Sequence, residues 1–138
     1  MAFDHERLDV YTVSIQLVGT VHRVTARTGR GYADLIRQAR RAAISIPLNI
    51  AEGTGEFSSP EKIRFFRIAR RSATECAAAL DVLHALKKLT DEDLRLPREL
   101  LDRTVAMLTA LIKQKENPTR RTVSRPSPRP RTSRSPPQ

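Results

Sequence analysis

SPEKIRFFRIARRSATECAAALDVL, residues 59–83, is the stretch whose reading decides the fold. Phe66, Ala69, Ala73, Cys76, Leu80 and Leu83 recur in it at spacings of three and four. That rhythm puts all of them on one face of a helix and none on a strand. Ser59 reads as the cap and Pro60 as the first helical residue. With the flanking turns that means a helix of roughly 28 residues, on the order of 42 Å at 1.5 Å per residue, within about 59–88. An apolar stripe of that length needs other helices to cover it.

The neighbouring segments supply them. Towards the N-terminus a second helix is expected over about 32–52, with Leu35, Ile36, Ala39, Ala42, Ala43, Ile46 and Ile50 as its stripe. Its small residues permit close approach of a neighbour. Pro47 lies inside it and predicts a kink near residues 43–46, with Gly53-Thr54-Gly55 as its end. A first helix is expected over about 8–27. It carries two stripes, Leu8, Tyr11, Ile15 and Val18, and Val10, Leu17, Val21 and Val24. Thr28-Gly29-Arg30-Gly31 reads as the turn between helices one and two. A fourth helix is expected over about 90–115, opened by Thr90 and Asp93 in capping-box spacing. Its core positions are Leu101, Val105, Leu108 and Ile112, and Pro97 predicts either a bend, the preferred reading, or a short turn at Asp91–Leu94 ahead of a helix that starts at Pro97. The expected fold is all-α, an up-down-up-down four-helix bundle over residues 1–116.

Beyond it the pattern stops. Residues 117–138 hold six of the nine prolines and six arginines, Arg120, Arg121, Arg125, Arg129, Arg131 and Arg134, with no acid. Such a segment cannot bury apolar surface, and a disordered tail is expected.

Composition narrows the function classes. The 138 residues carry a formal net charge of +10, and more than half of that excess lies in the tail. This balance attracts phosphate polymers or anionic surfaces. Aromatics make up 4% and tryptophan is absent, which disfavours a β sandwich. A single cysteine, Cys76, excludes an intrachain disulfide and fits a reducing, cytoplasmic setting. The first ten residues carry four charged side chains, so no secretory signal is expected there. No apolar run approaches membrane-spanning length, and no membrane partner is expected. His5, His22 and His84 match no zinc spacing, and no Walker loop, G-x-S-x-G or HExxH occurs. No enzyme activity, cofactor or metal is therefore expected.

RRAAISIPLNIAEG, Arg40–Gly53, resembles the signature of the four-helix-bundle family of 23S rRNA intervening-sequence proteins. Residues 59–80 are similar to that family's third helix, and LDVYTVSIQL, residues 8–17, to its first. The resemblance covers roughly residues 8–113. It implies a left-handed four-helix bundle, assembly as a homopentameric ring, and binding to nucleic acid. The accessory protein of diversity-generating retroelements, a basic pentamer that binds reverse transcriptase and RNA, is a distant relative by fold. A protein partner of that kind is the alternative the resemblance implies. The arginine-proline tail is not part of the family pattern.

Eight basic residues lie between positions 37 and 71, against the three acids Glu52, Glu56 and Glu61. They are Arg37, Arg40, Arg41, Lys62, Arg64, Arg67, Arg70 and Arg71. Arg64, Arg67 and Arg71 stand at helical spacing, away from the apolar stripe. One reading is a positive patch that neutralises the phosphates of RNA or DNA. The other is a solvated helix face or a subunit interface. The tail arginines are either a second phosphate-binding arm or a solubilising extension. Little base specificity is expected, because Phe65 and Phe66 read as mostly core. In the SIPLNIAEG block, Pro47, Asn49, Glu52 and Gly53 read first as structural. Asn49 and Glu52 would satisfy backbone groups freed by the kink, and Gly53 would end the helix. The lesser reading has Asn49 and Glu52 presenting polar groups to a partner. Glu75 has either Arg71 or a neighbouring subunit as its expected partner. Cys76 is expected in the core.

Overall fold

The computed structural model describes residues 4–117. The tail arginines from Arg120 to Arg134 lie outside the described residues. A single 3-10 turn, Asp4–Arg7, leads into α1 (Asp9–Ala26), α2 (Ala33–Gly55), α3 (Ser59–Ala85) and α4 (Asp91–Glu116). No strand occurs among the described residues. Each helix packs on two neighbours, α4 closes back on α1, and the diagonal pairs stay apart. That is the up-down-up-down bundle expected from the four stripes.

The α3 stripe is buried throughout, from Phe66 to Leu83. Its tightest partner is α2. Ala39, Ala42 and Ala43 of α2 and Ala69, Ser72 and Ala73 of α3 are all buried along this contact. Small side chains let the two backbones close in, so little core volume separates them. On α4, Leu101, Leu108 and Ile112 are buried as expected, Val105 is half-buried, and Pro97, Leu100 and Thr104 join the core.

α1 departs from expectation. Val10, Leu17, Val21 and Val24 are buried, and Val13 joins them. The other stripe lies at the edge of the bundle. Leu8, Tyr11 and Val18 are half-buried, and Ile15 is 48% exposed. A helix at the corner of a four-helix square turns only part of its circumference to the core, so two full stripes cannot both be covered.

Hydroxyls on the buried faces return to their own helix. Ser14, Thr20, Thr25 and Thr104 each donate to a carbonyl one turn back, at 2.6–2.8 Å. No buried side-chain polar atom lacks a partner among the described residues. Such bonds let threonine and serine occupy the core without the cost of an orphaned polar group.

The helix ends refine the sequence reading. The α3 cap is Ser58, one residue earlier than expected, and its side chain accepts from the Glu61 amide at 3.3 Å. Pro60 therefore stands second in the helix. α3 also stops at Ala85, three residues before the expected end. Lys87 adopts φ 61°, and the amides of Lys87 and Lys88 bond back to the carbonyls of His84 and Leu83, each at 2.9 Å. This is a Schellman close made without glycine, so no glycine signal marks it in the sequence. α4 starts with the reciprocal Thr90–Asp93 capping box and runs unbroken through Pro97.

The SIPLNIAEG block is also revised. α2 runs continuously through the buried Pro47 to Gly55, so Gly53 does not end it. A Cβ at Gly53 would stand 2.8 Å from Phe66 Cε1 and 3.1 Å from Phe65 Cβ. Gly53 is there to let α3 approach. Asn49 Nδ2 donates to the Ser45 carbonyl at 2.8 Å and to Ser45 Oγ at 3.0 Å, and Ser45 Oγ meets Ser72 Oγ at 2.8 Å. Asn49 thus serves a backbone group, but not the Ala43 carbonyl whose donor Pro47 removes. Glu52 is exposed, and its carboxylate has no partner among the described residues. It satisfies no backbone group.

Candidate nucleic-acid interface

The eight basic residues of α2 and α3 separate by what already holds them. Arg40, Lys62 and Arg70 are half-buried and engaged by neutral acceptors. Arg40 Nε donates to Thr25 Oγ1 at 2.9 Å, and its Nη2 reaches the His22 carbonyl at 3.4 Å. Lys62 Nζ donates to the Thr54 carbonyl at 2.9 Å, and so closes the C-terminal end of α2. Arg70 Nη1 contacts Thr109 Oγ1 of α4 at 3.4 Å.

Arg37, Arg64 and Arg67 are exposed and paired with a carboxylate. Their partners are Asp34 at 3.1 Å, Glu61 at 3.3 Å and Glu116 at 2.6 Å. Exposed pairs of this kind are worth about 0–1 kcal/mol, so a phosphate can exchange for the carboxylate at small cost. Arg41 and Arg71 are exposed and hold no acid or hydrogen-bond acceptor among the described residues.

The register of α2 on α3 places these groups. Gln38 Nε2 meets Glu75 Oε1 at 3.4 Å, Ser45 faces Ser72, and Gly53 lies on Phe66. Arg37, Arg40 and Arg41 therefore sit towards the α1–α2 turn, and Arg64 and Arg67 towards the α2–α3 turn. The two groups are separated by roughly 15 Å along the bundle at 1.5 Å per residue. The structure thus divides the expected single patch into two clusters, with Arg71 between them. Arg64, Arg67 and Arg71 do share the outer face of α3. Glu75, on the same face, is held by Gln38 across the seam and makes no ion pair with Arg71 among the described residues.

Three further residues escaped the sequence reading. Arg30 and Lys88 flank the α1–α2 turn; Lys88 Nζ contacts the Arg30 carbonyl at 3.4 Å and lies 5.7 Å from the centre of the exposed Tyr32 ring. An arginine between two glycines is necessarily displayed, and that signal was available at Gly29-Arg30-Gly31. Phe57, in the α2–α3 turn, is fully exposed. An aromatic face is thus available for stacking, contrary to expectation. Phe66 is buried, whereas Phe65 is half-buried with the Arg64 guanidinium 4.6 Å from its ring centre.

An apolar patch lies on the α1–α2 seam. Ile15, Ile44 and Leu48 are 46–60% exposed there, beside Tyr11, Val18, Pro47 and Ala51. Cys76 is buried, and desolvation, with the nearby Glu75 charge, pushes its thiol up to about 12. It is an inert core residue. His84 Nε2 sits 2.7 Å from Asp91 Oδ1. Among the described residues no three His, Cys, Asp or Glu side chains gather as a metal would require, and no helix is long and apolar enough to cross a membrane.

No curated protein matches the chain. Residues 6–110, which take in all of α1, α2 and α3 and most of α4, match the family of the 23S rRNA-intervening sequence protein. The match includes both arginine clusters and the Gly53 contact that lets α3 close on α2. The four-helix bundle protein described here therefore belongs to the 23S rRNA-intervening sequence protein family.

Proposed function

We propose that this protein is a non-catalytic, homo-oligomeric, cytoplasmic nucleic-acid-binding protein whose ligand is structured RNA. The observation that carries the reading is the outer surface of α2 and α3, where Arg37, Arg41, Arg64, Arg67 and Arg71 are all exposed. None is committed to more than a surface ion pair. Guanidinium groups so placed neutralise phosphates without reading bases. Arg40, Lys62 and Arg70 contribute field more than contact, because the fold already uses their donors. The tail arginines add a second, sequence-independent arm. The family's printed name ties it to 23S rRNA, which is consistent with an RNA ligand. Repetition of the two clusters around an oligomer would turn modest affinities into avidity.

A second reading, an oligomeric scaffold that docks another protein such as a reverse-transcriptase-type partner, is favoured by the apolar patch at Ile15, Ile44 and Leu48. A surface of that kind is unusual outside an interface.

The test is binding of a fluorescent structured RNA across a salt series, by the full chain and by a truncation ending at Glu116. The expected result is binding by both, with log K falling against log salt at a slope of several phosphates. Binding by the full chain alone would assign the affinity to the tail. Absence of binding by either at near-physiological salt refutes the reading and leaves the scaffold in its place.

A further inference from the structure

The α1–α2 turn borders an open cleft of about 520 Å³. Its walls come from the last turn of α1 (Thr25), the connection Thr28–Gly31, and the first turns of α2 with Arg37 and Arg40. Three guanidinium-bearing residues, Arg30, Arg37 and Arg40, line it, and no acidic residue does.

Arg40 sets this cleft apart from the other basic surfaces. Its side chain is half-buried, yet no carboxylate lies within ion-pair distance among the described residues. Neutral oxygens, Thr25 Oγ1 and the His22 carbonyl, hold the guanidinium in place. Thr25 is itself fixed, since its hydroxyl donates to the Val21 carbonyl at 2.6 Å. The cation is thus oriented by the fold and left electrically unmatched. A half-buried charge without a counter-ion is costly unless an anion supplies it. The Arg30 guanidinium has no partner among the described residues, and the Arg37–Asp34 pair is exposed and exchangeable. Lys88 adds a fourth cation beside the loop, 3.9 Å from where a Cβ on Gly31 would stand. Gly29 (φ 71°) and Gly31 (φ 108°) give the loop a bare backbone that a ligand can approach closely.

We propose that this cleft is a phosphate-binding site, and that it seats one phosphate group of the nucleic acid invoked above, a reading on which the second half of the proposal rests. Phosphate fits better than carboxylate. It brings more acceptor oxygens and, as a monoester or inorganic ion, more negative charge to a cluster of several guanidinium groups, and its geometry suits their planar forks. The cleft is larger than a phosphate, which leaves room for the attached sugar.

The test uses the full chain and two probes. Inorganic phosphate is titrated at constant ionic strength, with chloride as the balancing anion, while backbone amide resonances are followed. The expected result is saturating shifts at Gly29, Arg30, Gly31 and Ala33, lost in the double variant Arg30→Ala/Arg37→Ala. Shifts that do not saturate, or that are as large around Arg64 and Arg67, overturn the site. The second probe is the fluorescent RNA. The same double variant, shown to be folded by circular dichroism, is expected to bind it about tenfold or more weakly, the loss of at least one charge-assisted contact. Undiminished RNA binding by the variant, together with no saturable phosphate shift, rejects the cleft and spares the nucleic-acid reading. Saturable phosphate binding by a wild-type chain that binds no RNA keeps the cleft as a small-phosphate site and rejects its assignment to nucleic acid.

Discussion

Both ends of the bundle carry cations, and they hold them differently. At the end bearing the α2–α3 turn, three cations already have partners. Lys62 closes α2, Arg67 holds Glu116 of α4, and Arg64 lies between Glu61 and the Phe65 ring. At the end bearing the α1–α2 turn, Arg30 and Arg41 are unpaired among the described residues, and Arg40 is oriented without a counter-ion. Charge in a sequence is therefore not the same as charge available to a ligand. What separates these groups is whether each meets a carboxylate, a neutral oxygen or neither after folding.

The two ends should also fail differently when altered. The largest effect is expected at Gly53. Alanine there improves helix propensity by about 1 kcal/mol. Its Cβ, however, would stand 2.8 Å from the buried Phe66 ring, at a seam with no slack. Overpacking of this kind costs about 1–3 kcal/mol, so a net loss of stability in urea denaturation is expected for Gly53→Ala. A stabilised variant would mean that the seam at this end is looser than the geometry implies.

Next comes Asp93, at the opposite end. Its carboxyl is held below the ordinary range chiefly by the hydrogen bond from the Thr90 amide. Burial opposes it, and the Thr90 hydroxyl and the nearby Arg27 add smaller lowering contributions. Asp93→Ala is expected to cost about 1 kcal/mol at neutral pH, as for loss of a cap. The sign with pH follows from the lowered value. The contribution is present above the unfolded carboxyl's value near 4 and is lost as pH falls through the folded one. Stabilities of wild type and variant should therefore converge in acid. A gap that persists at low pH would show that the cap acts without its charge.

The smallest stability effect belongs to the Arg67–Glu116 pair, expected at about 0.2–1 kcal/mol in a double-mutant cycle and weaker in high salt. Its expected effect on the proposed RNA binding is sharper. Glu116→Gln frees Arg67 and should strengthen binding by a few-fold at low salt. No gain would mean that the pair does not limit how this end meets a phosphate.

The legibility of the molecule follows the same division. The helices were readable because burying an apolar stripe constrains the sequence every three or four residues. Residues 59–83 needed no knowledge of their neighbours to be read as a helix. The end of α3 was not readable, because Lys87 takes the left-handed conformation that glycine usually signals. Ile15 was misplaced because periodicity reports a face, not what covers it. Among the site residues, the sequence identified basic positions but not their engagement. Arg40 and Arg41 are adjacent in the chain, yet one is bound to Thr25 and the other is free among the described residues.

Taken alone, the sequence determined four amphipathic helices, their order, the Gly29–Gly31 break, the α4 capping box, and a chain rich in arginine. These are local matters of backbone propensity and stripe spacing, resolved within a turn or two of helix. Only the tertiary structure decided that Gly53 is a packing residue, that Arg67 answers to Glu116, and that Arg40 is left facing a cleft without an acid. Those outcomes depend on which side chains from distant segments share a few ångströms of space, and the register of α2 against α3 settles that when the bundle closes.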